Sequence, residues 1–452
     1  MKKLDELSIE EQAYVFGKPL VMNLEHVSTA ISTGFGTNPA APFNTFSHAT
    51  KLANATSHFV SINNDTLYSN AQVDLSDGPV FLEIPKIEDR YYVFQLVDVW
   101  TNNFAYLGQR TLGNNGGKFM LLTSSQISQF EGEYTDYRRV ISPTTIFSIV
   151  GRIALDGEKD IPNVTNIQSK LKLTELGTQL TGLPVVEGTT SLDSMDFWKK
   201  LRTYLKSFPN SKTFDSVFDS IYTLLNVDGK ESNSEFFYRM TDEQIKRFNL
   251  AEKNGYSYIK ESLATSVGKT QNGWQTNLHI FDYNVDYFGI GALDDKKWII
   301  TKNNALDSLK EASLARTRAA VAGLWGNHAY EAVYYPTYVD TEGNILDGEN
   351  TYELYFKELP PVHAFWSITM YDAENFLLVD NEINRYSIGD RTEGLQYNED
   401  GSLTIIVSKN KPNNSSNWLP APAGKFRPLF RAYLPKSEIL DSKYEMPGFA
   451  QL

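Results

Sequence analysis

At 452 residues the chain exceeds what one hydrophobic core usually organises, so two or three domains are expected. A net charge of −13, with no compensating run of Lys and Arg, argues against nucleic acid as a partner; the lack of cysteine excludes disulfides, thiolate nucleophiles, zinc–thiolate sites and iron–sulfur clusters. Apolar runs such as Ile146 to Val150 are too short to span a bilayer, and Met1-Lys2-Lys3 leads into Glu6, Glu10 and Glu11 rather than into an apolar signal region, so a soluble chain without a membrane span is expected. The compartment stays open, because a cytoplasmic chain and an exported one that has lost its signal would read alike.

Ser8-Ile9-Glu10-Glu11 has the form of a capping box, and Ile9, Val15, Phe16, Leu20, Leu24 and Val27 make an interrupted helical stripe that predicts one helix to about Ser28. From Ser32 to Thr56, Gly, Pro, Asn and Ala without periodicity predict an ordered but irregular loop. Strand-like runs follow at His58 to Ile62, Leu67 to Leu75, Pro79 to Ile84, Arg90 to Asp98, Lys118 to Leu122 and Val140 to Leu155. Turn signals such as Asp77-Gly78-Pro79 and Gly113-Asn114-Asn115-Gly116-Gly117 separate them, a cadence that fits an antiparallel sandwich or jelly roll. The 25 Tyr and 26 Phe suit sheets that pack broad faces together.

From about Glu158 to Glu331 the pattern is helical, with Phe197, Leu201, Tyr204 and Leu205 on one stripe and Phe214, Phe218, Ile221, Leu224 and Leu225 on the next. Strands return at Glu331 to Val339, Thr351 to Lys357, Ala364 to Tyr371, Leu403 to Val407 and Phe426 to Leu434. The expected architecture is mainly β with a helical insertion: two antiparallel β-sandwich or jelly-roll lobes flanking an α-helical subdomain. Its parts are residues 1–156 (a helix plus the first lobe), 157–330 (the mainly helical subdomain) and 331–452 (the second lobe).

Some strings are more particular than a fold demands. The first lobe has Asn64-Asp65-Thr66-Leu67-Tyr68-Ser69, Arg90-Tyr91-Tyr92, Asp98-Val99-Trp100-Thr101-Asn102 and Gly108-Gln109-Arg110-Thr111. The second has Leu359-Pro360-Pro361-Val362-His363-Ala364-Phe365-Trp366, Asn384-Arg385-Tyr386-Ser387-Ile388-Gly389-Asp390-Arg391, Asn417-Trp418-Leu419-Pro420 and Arg431-Ala432-Tyr433-Leu434-Pro435. In order and spacing, over roughly residues 10 to 150 and 325 to 450, the chain resembles two families of "domain of unknown function", numbered 1254 and 1214, that occur in tandem. The resemblance implies two sandwich lobes of jelly-roll type around a helical insertion, and it implies no reaction.

Candidate site residues come from these strings. Asp65 reads either as a turn carboxylate serving nearby backbone N–H groups or as a site carboxylate with Asn64 and Tyr68 as polar partners. By strand alternation Arg90, Asp98 and Trp100 share a face, which suits a buried ion pair or a sugar-stacking platform. Arg385 and Arg391 could fork onto a carboxylate, with Asp390 between them as ligand-site acid or internal partner. His363 is a natural general base beside Trp366, and Trp418 could line a cleft or an interface. No His pair has a metal-site spacing, and no Walker, Rossmann or nucleophile-elbow motif names a cofactor or a reaction.

The leading expectation is a protein that binds or hydrolyses a polar, carbohydrate-like or small organic ligand in a cleft between the lobes. In a catalytic version Asp65 and Asp390 act as acid and base, Arg385 and Arg391 hold an anionic group, and Trp100 and Trp366 stack. The alternative is a structural protein whose lobes pack into a homo-oligomer, with Trp418 as an anchor.

Overall fold

The computed structural model describes residues 2–57, 60–187, 195–265, 268–284, 286, 289–293, 298 and 305–452. The first helix, α1 (Ile9–Ser32), starts where the sequence places it: Ser8 Oγ accepts from the Glu11 N–H, and the Glu11 carboxylate accepts in return from the Ser8 N–H at 2.8 Å. Pro19 inside α1 has no N–H to give the Val15 carbonyl one turn back. The Thr317 hydroxyl of α8 (Leu306–Gly323) donates to that carbonyl at 2.8 Å, so the proline becomes a docking point between two helices. Gly17 permits a third close approach, since a Cβ there would meet the Leu201 side chain at 2.5 Å.

The first lobe is a sandwich of two sheets. One has the order β1 (Ser47–His48), β2 (Thr66–Asp74), β8 (Ile146–Ala154), β4 (Tyr92–Asp98), β5 (Asn103–Gly108); the other runs β7 (Arg138–Ser142), β6 (Gly117–Thr123), β3 (Val80–Ile84), β9 (Lys172–Glu175). Leu67, Leu82, Phe94, Phe119, Leu121 and Ile149 from both sheets share one core. Short helices α2 (Gln109–Leu112) and α3 (Ile161–Gln168) flank it.

The helical segment contains α4 (Asp196–Ser207), α5 (Asp215–Leu224), α6 (Asn233–Tyr238), α7 (Asp242–Thr265) and α8. The stripe Phe197, Trp198, Leu201, Tyr204 and Leu205 is buried in one core with Tyr14, Phe16 and Leu20 of α1. The helical layer is therefore discontinuous in sequence: α1, which chain order groups with the first lobe, packs with helices some 200 residues later, as in the ring contact of Tyr14 with Phe197 at 4.5 Å.

A small hairpin of β10 (Thr270–Gln271) and β11 (Trp274–Gln275) precedes the second lobe. That lobe is again two sheets, β12 (Ala332–Pro336), β18 (Phe426–Pro435), β14 (Val362–Asp372), β15 (Ser387–Gly389), and β17 (Trp418–Pro420), β16 (Leu403–Ser408), β13 (Tyr352–Phe356), β19 (Ala450–Gln451), with the turn of α9 (Ser437–Leu440) after β18. Mainly β with a helical insertion is thus the observed class. Three details differ from the strand pattern. Each lobe's second sheet contains one parallel pair, β6 with β7 and β16 with β17. The run from 140 to 155 is two strands because Pro143 breaks it. Of the strand expected at His58 to Ile62, His58 and Phe59 lie outside the described residues, Val60 and Ser61 form a turn, and Ile62 is not in a strand.

Candidate functional site

The sheet of β2 and β8 and the sheet of β12 and β18 turn one face each toward the helical layer. Tyr68 and Arg152 stand directly opposite each other on the first, as do Asn70 and Val150. On the second, Tyr334 opposes Arg431 and Pro336 opposes Leu429. With Arg427, these residues line a cavity of about 770 Å³ closed by α7, α8 and the segments around Phe35 and Ser61. Strand alternation puts Arg427, Leu429 and Arg431 on one face of β18, and helical spacing puts Ala315, Arg318, Ala319 and Ala322 on one face of α8.

The wall's charge is one-sided. Among the described residues it carries Arg152, Arg318, Arg427 and Arg431, with Lys51 and Lys260 exposed at its rim, and no Asp or Glu. Arg152 is buried, and neutral oxygens hold it: Gln95 Oε1 at 2.7 Å, the Trp325 carbonyl at 2.8 Å, Asn327 Oδ1 and the Tyr68 hydroxyl at 3.3 Å. Arg431, also buried, donates to Thr369 Oγ1, the Ser61 carbonyl and the Tyr371 hydroxyl at 2.7 to 2.9 Å. Arg427 donates to Ser61 Oγ at 2.8 Å, lies over the Phe376 ring at 4.7 Å and has its pKa lowered by burial. Arg318 has a carboxylate in near contact, Glu311 at a loose 3.7 Å, while Asp65 and Glu331 act on Arg431 and Arg152 only through their charge at longer range. The Nε groups of Arg318 and Arg427 and the Asn70 Oδ1 are buried without a partner, an uncommon state for polar atoms in a folded protein.

Ser61 holds the two β18 guanidiniums apart. Its hydroxyl accepts from Arg427 and its carbonyl from Arg431, while its N–H donates to the Phe376 carbonyl at 2.8 Å. Ser61 and Phe376 both have positive φ, +52° and +58°, a conformation that costs a side-chain-bearing residue about 1–3 kcal/mol and persists where its surroundings impose it.

Of the candidate site residues named from sequence, Tyr68 alone lines this cavity, although the quoted strings also contain Thr66 and Arg431, which line it too. Asp65, buried at the joint between the lobes, accepts from Ser367 Oγ at 2.7 Å and the Tyr433 hydroxyl at 2.9 Å. Asp390 accepts from the Trp366 N–H at 3.1 Å, close enough to Asp65 for the two charges to interact, and burial pushes its pKa up to about 6. Arg391 clamps the lobes: it donates to the Asp65 carbonyl and the Asp156 carboxylate and stacks 3.4 Å above the Phe365 ring. Asn64 donates to the Ala53 carbonyl at 2.5 Å.

The others serve as internal struts or lie on the surface. Arg90 pairs with Asp160 at 2.6 Å and not with Asp98, which instead accepts from Asn102. Arg385 donates to the carbonyls of Ser415, Ser416 and Trp418, pinning that loop. Trp100, Trp366 and Trp418 are buried, so their faces are spent on protein and not open for a sugar: Trp100 meets Phe218, Trp366 meets Phe356, and the Trp418 indole N–H donates to the Ser408 carbonyl. His363 is exposed.

Sequence reasoning passed over Arg152, Arg318, Arg427 and Arg431. A signal existed for three of them. Arg152 is a lone charge in the apolar run Ile146 to Ala154, and Arg427 and Arg431 share a face of an otherwise apolar strand. Among the described residues no three His, Asp or Glu side chains are placed to hold a metal, and no helix is long and apolar enough to cross a membrane.

Comparison with known proteins follows the two lobes. Residues 43–175 match the family described as "Protein of unknown function (DUF1254)", and residues 331–437 match "Protein of unknown function (DUF1214)". The crystal structure of the VPA0106 protein from Vibrio parahaemolyticus aligns over 98% of both chains with a TM-score of 0.69 and 23% identity, which supports the fold and nothing finer. An uncharacterised protein from Burkholderia cenocepacia, aligned over 97% of this chain and 87% of its own at 11% identity, reaches a TM-score of 0.44, too low to bear on the fold. No curated protein matches the chain.

Proposed function

The chain belongs to the tandem DUF1254 and DUF1214 families, and from the cavity between its lobes we propose that it binds a small organic anion with an apolar body. The observation that carries this reading is a wall that, among the described residues, has four arginines and no carboxylate in a chain of net charge −13. Burying a cation without a counter-ion costs several kcal/mol, roughly, and an anionic ligand would offset that cost. Phe35, Ile62, Phe281, Leu324 and Trp325 on the same wall suit an aromatic or aliphatic body, and the volume falls in the usual range for small-molecule sites. A neutral glycan would leave the guanidinium charge uncompensated.

Thermal unfolding in the presence of aryl and alkyl carboxylates, each beside its amide, tests this. At about a hundred times its dissociation constant a bound carboxylate adds about 2.7 kcal/mol, and the amide adds much less. Arg318→Gln, on a partly exposed helix face, lowers carboxylate affinity roughly 10- to 100-fold, the worth of one charged hydrogen bond. Equal stabilisation by acid and amide, or none by any acid, contradicts the reading.

A further inference from the structure

We propose that His279, oriented by Asp282, is a general base at the mouth of this cavity, and that the bound anion is a carboxylic ester which a water activated by His279 hydrolyses. The inference rests on the anion-binding reading and adds chemistry to it.

Among the described residues the geometry singles out this histidine. Its Nδ1 lies 2.5 Å from Asp282 Oδ2, within a turn closed by the Asp282 N–H donating to the His279 carbonyl, and its own N–H donates to Asn277 Oδ1. An ionised carboxylate only accepts, so in the neutral imidazole the Nδ1 proton sits on this bond and the lone pair is on Nε2. The Asp282 side chain is 1% exposed and its second oxygen is buried without a partner, so no other donor competes with the imidazole. The His279 side chain is 55% exposed and lines the cavity, with Trp298 packed 4.8 Å from its ring. Water therefore reaches the imidazole, which is held by a carboxylate at Nδ1 and packs against a tilted indole. The other described histidines lack this combination: His328 is fully buried against the Tyr106 hydroxyl, His48 meets Ser69, His26 meets the Met22 carbonyl, and His363 has no carboxylate partner.

The step balances without a further reactant. Nε2 takes a proton from water as the water oxygen bonds to the acyl carbon. The tetrahedral intermediate then collapses, the acyl C–O bond breaks with its electron pair on the leaving oxygen, and Nε2 returns the proton to that oxygen, giving an acid and an alcohol. Arg318 and Lys260 on the same wall supply positive charge for the ester's own anionic group.

The test uses the whole chain with mono-p-nitrophenyl succinate, an anionic ester, beside neutral p-nitrophenyl acetate. The expected result is turnover of the anionic ester with the lower KM. His279→Ala lowers kcat about 100- to 10,000-fold with KM nearly unchanged, and added imidazole restores part of the rate. Asp282→Asn, which removes a positioning contact, lowers kcat by less and leaves KM in place. Turnover of the anionic ester no faster than by His279→Ala, with organic anions still stabilising the protein, overturns the base and leaves the binding site standing. Loss of anion binding as well overturns both. Equal KM for the two esters overturns the anionic substrate class.

Discussion

The joint between the lobes and the cavity beside it are built from the same residue types and differ in how those residues are occupied. At the joint the guanidiniums meet carboxylates: Arg110 pairs with buried Glu331 at 2.8 Å, Tyr91 donates to the same carboxylate, and Arg391 pairs with Asp156 and donates to the Asp65 carbonyl, its Nε alone left without a partner. On the cavity wall Arg152, Arg427 and Arg431 donate only to neutral oxygens, and the charges of Glu331 and Asp65 reach Arg152 and Arg431 only at longer range. A network whose charges meet opposite charges is a structural joint, whereas one of a single sign is a place prepared for something else. Substitutions at the joint should therefore cost stability, and those on the wall should cost affinity.

The largest expected effect is at the joint. Glu331→Ala removes the buried carboxylate to which Arg110 and Tyr91 both donate and should destabilise the fold by about 3–5 kcal/mol in urea unfolding. On the wall, Arg427→Gln should reduce affinity for an aryl carboxylate roughly 10- to 100-fold while changing the stability of the ligand-free protein by less than the joint substitution does, because it removes one of several like charges. Joint-sized loss of stability at Arg427 would erase the distinction between the two regions.

Asp390 gives a pH test of the joint. Its folded pKa, pushed up to about 6 by burial, lies above the unfolded carboxylate value, so the folded state binds the extra proton between about pH 4 and 6. That stabilisation is complete below the unfolded pKa and is lost as pH rises through the folded one. Asp390→Asn keeps an oxygen for the Trp366 N–H and should flatten the fall in stability between pH 4 and 6. An unchanged slope would assign it to other raised carboxyls, such as Asp98 or Asp282, each pushed up to about 6 by burial. The smallest effect belongs to a control far from both regions: Ser8→Ala removes the α1 cap for about 1 kcal/mol and leaves carboxylate affinity unchanged.

Much of the fold was legible because periodicity reports burial. The α1 cap, strands such as Leu67 to Leu75 and Phe426 to Leu434, and the helical stripe of Phe197 to Leu205 all stand where their patterns put them, and the family motifs framed both lobes. The candidate site was much less legible, for a physical reason. Dense polar strings such as Asn384 to Arg391 mark places where the chain must satisfy itself, and here they became struts. The cavity's charges sit singly on apolar strands, and whether such a charge faces protein or empty space depends on a third element, here α8 and the Ser61 turn, brought up by folding. The burial of Trp100, Trp366 and Trp418 has the same origin, since an indole in a strand is placed by the opposite sheet and not by its own neighbours.

The most direct measurement is a fluorescence titration with 8-anilinonaphthalene-1-sulfonate beside N-phenyl-1-naphthylamine, the same aromatic body without the charge, on the native protein and on Arg427→Gln. The cationic cavity predicts saturable binding of the sulfonate at one site per chain, weakened by salt and by the substitution, with the neutral amine at least roughly tenfold weaker, the worth of about 1.4 kcal/mol. Equal affinity for the two dyes, unmoved by Arg427→Gln, would contradict it.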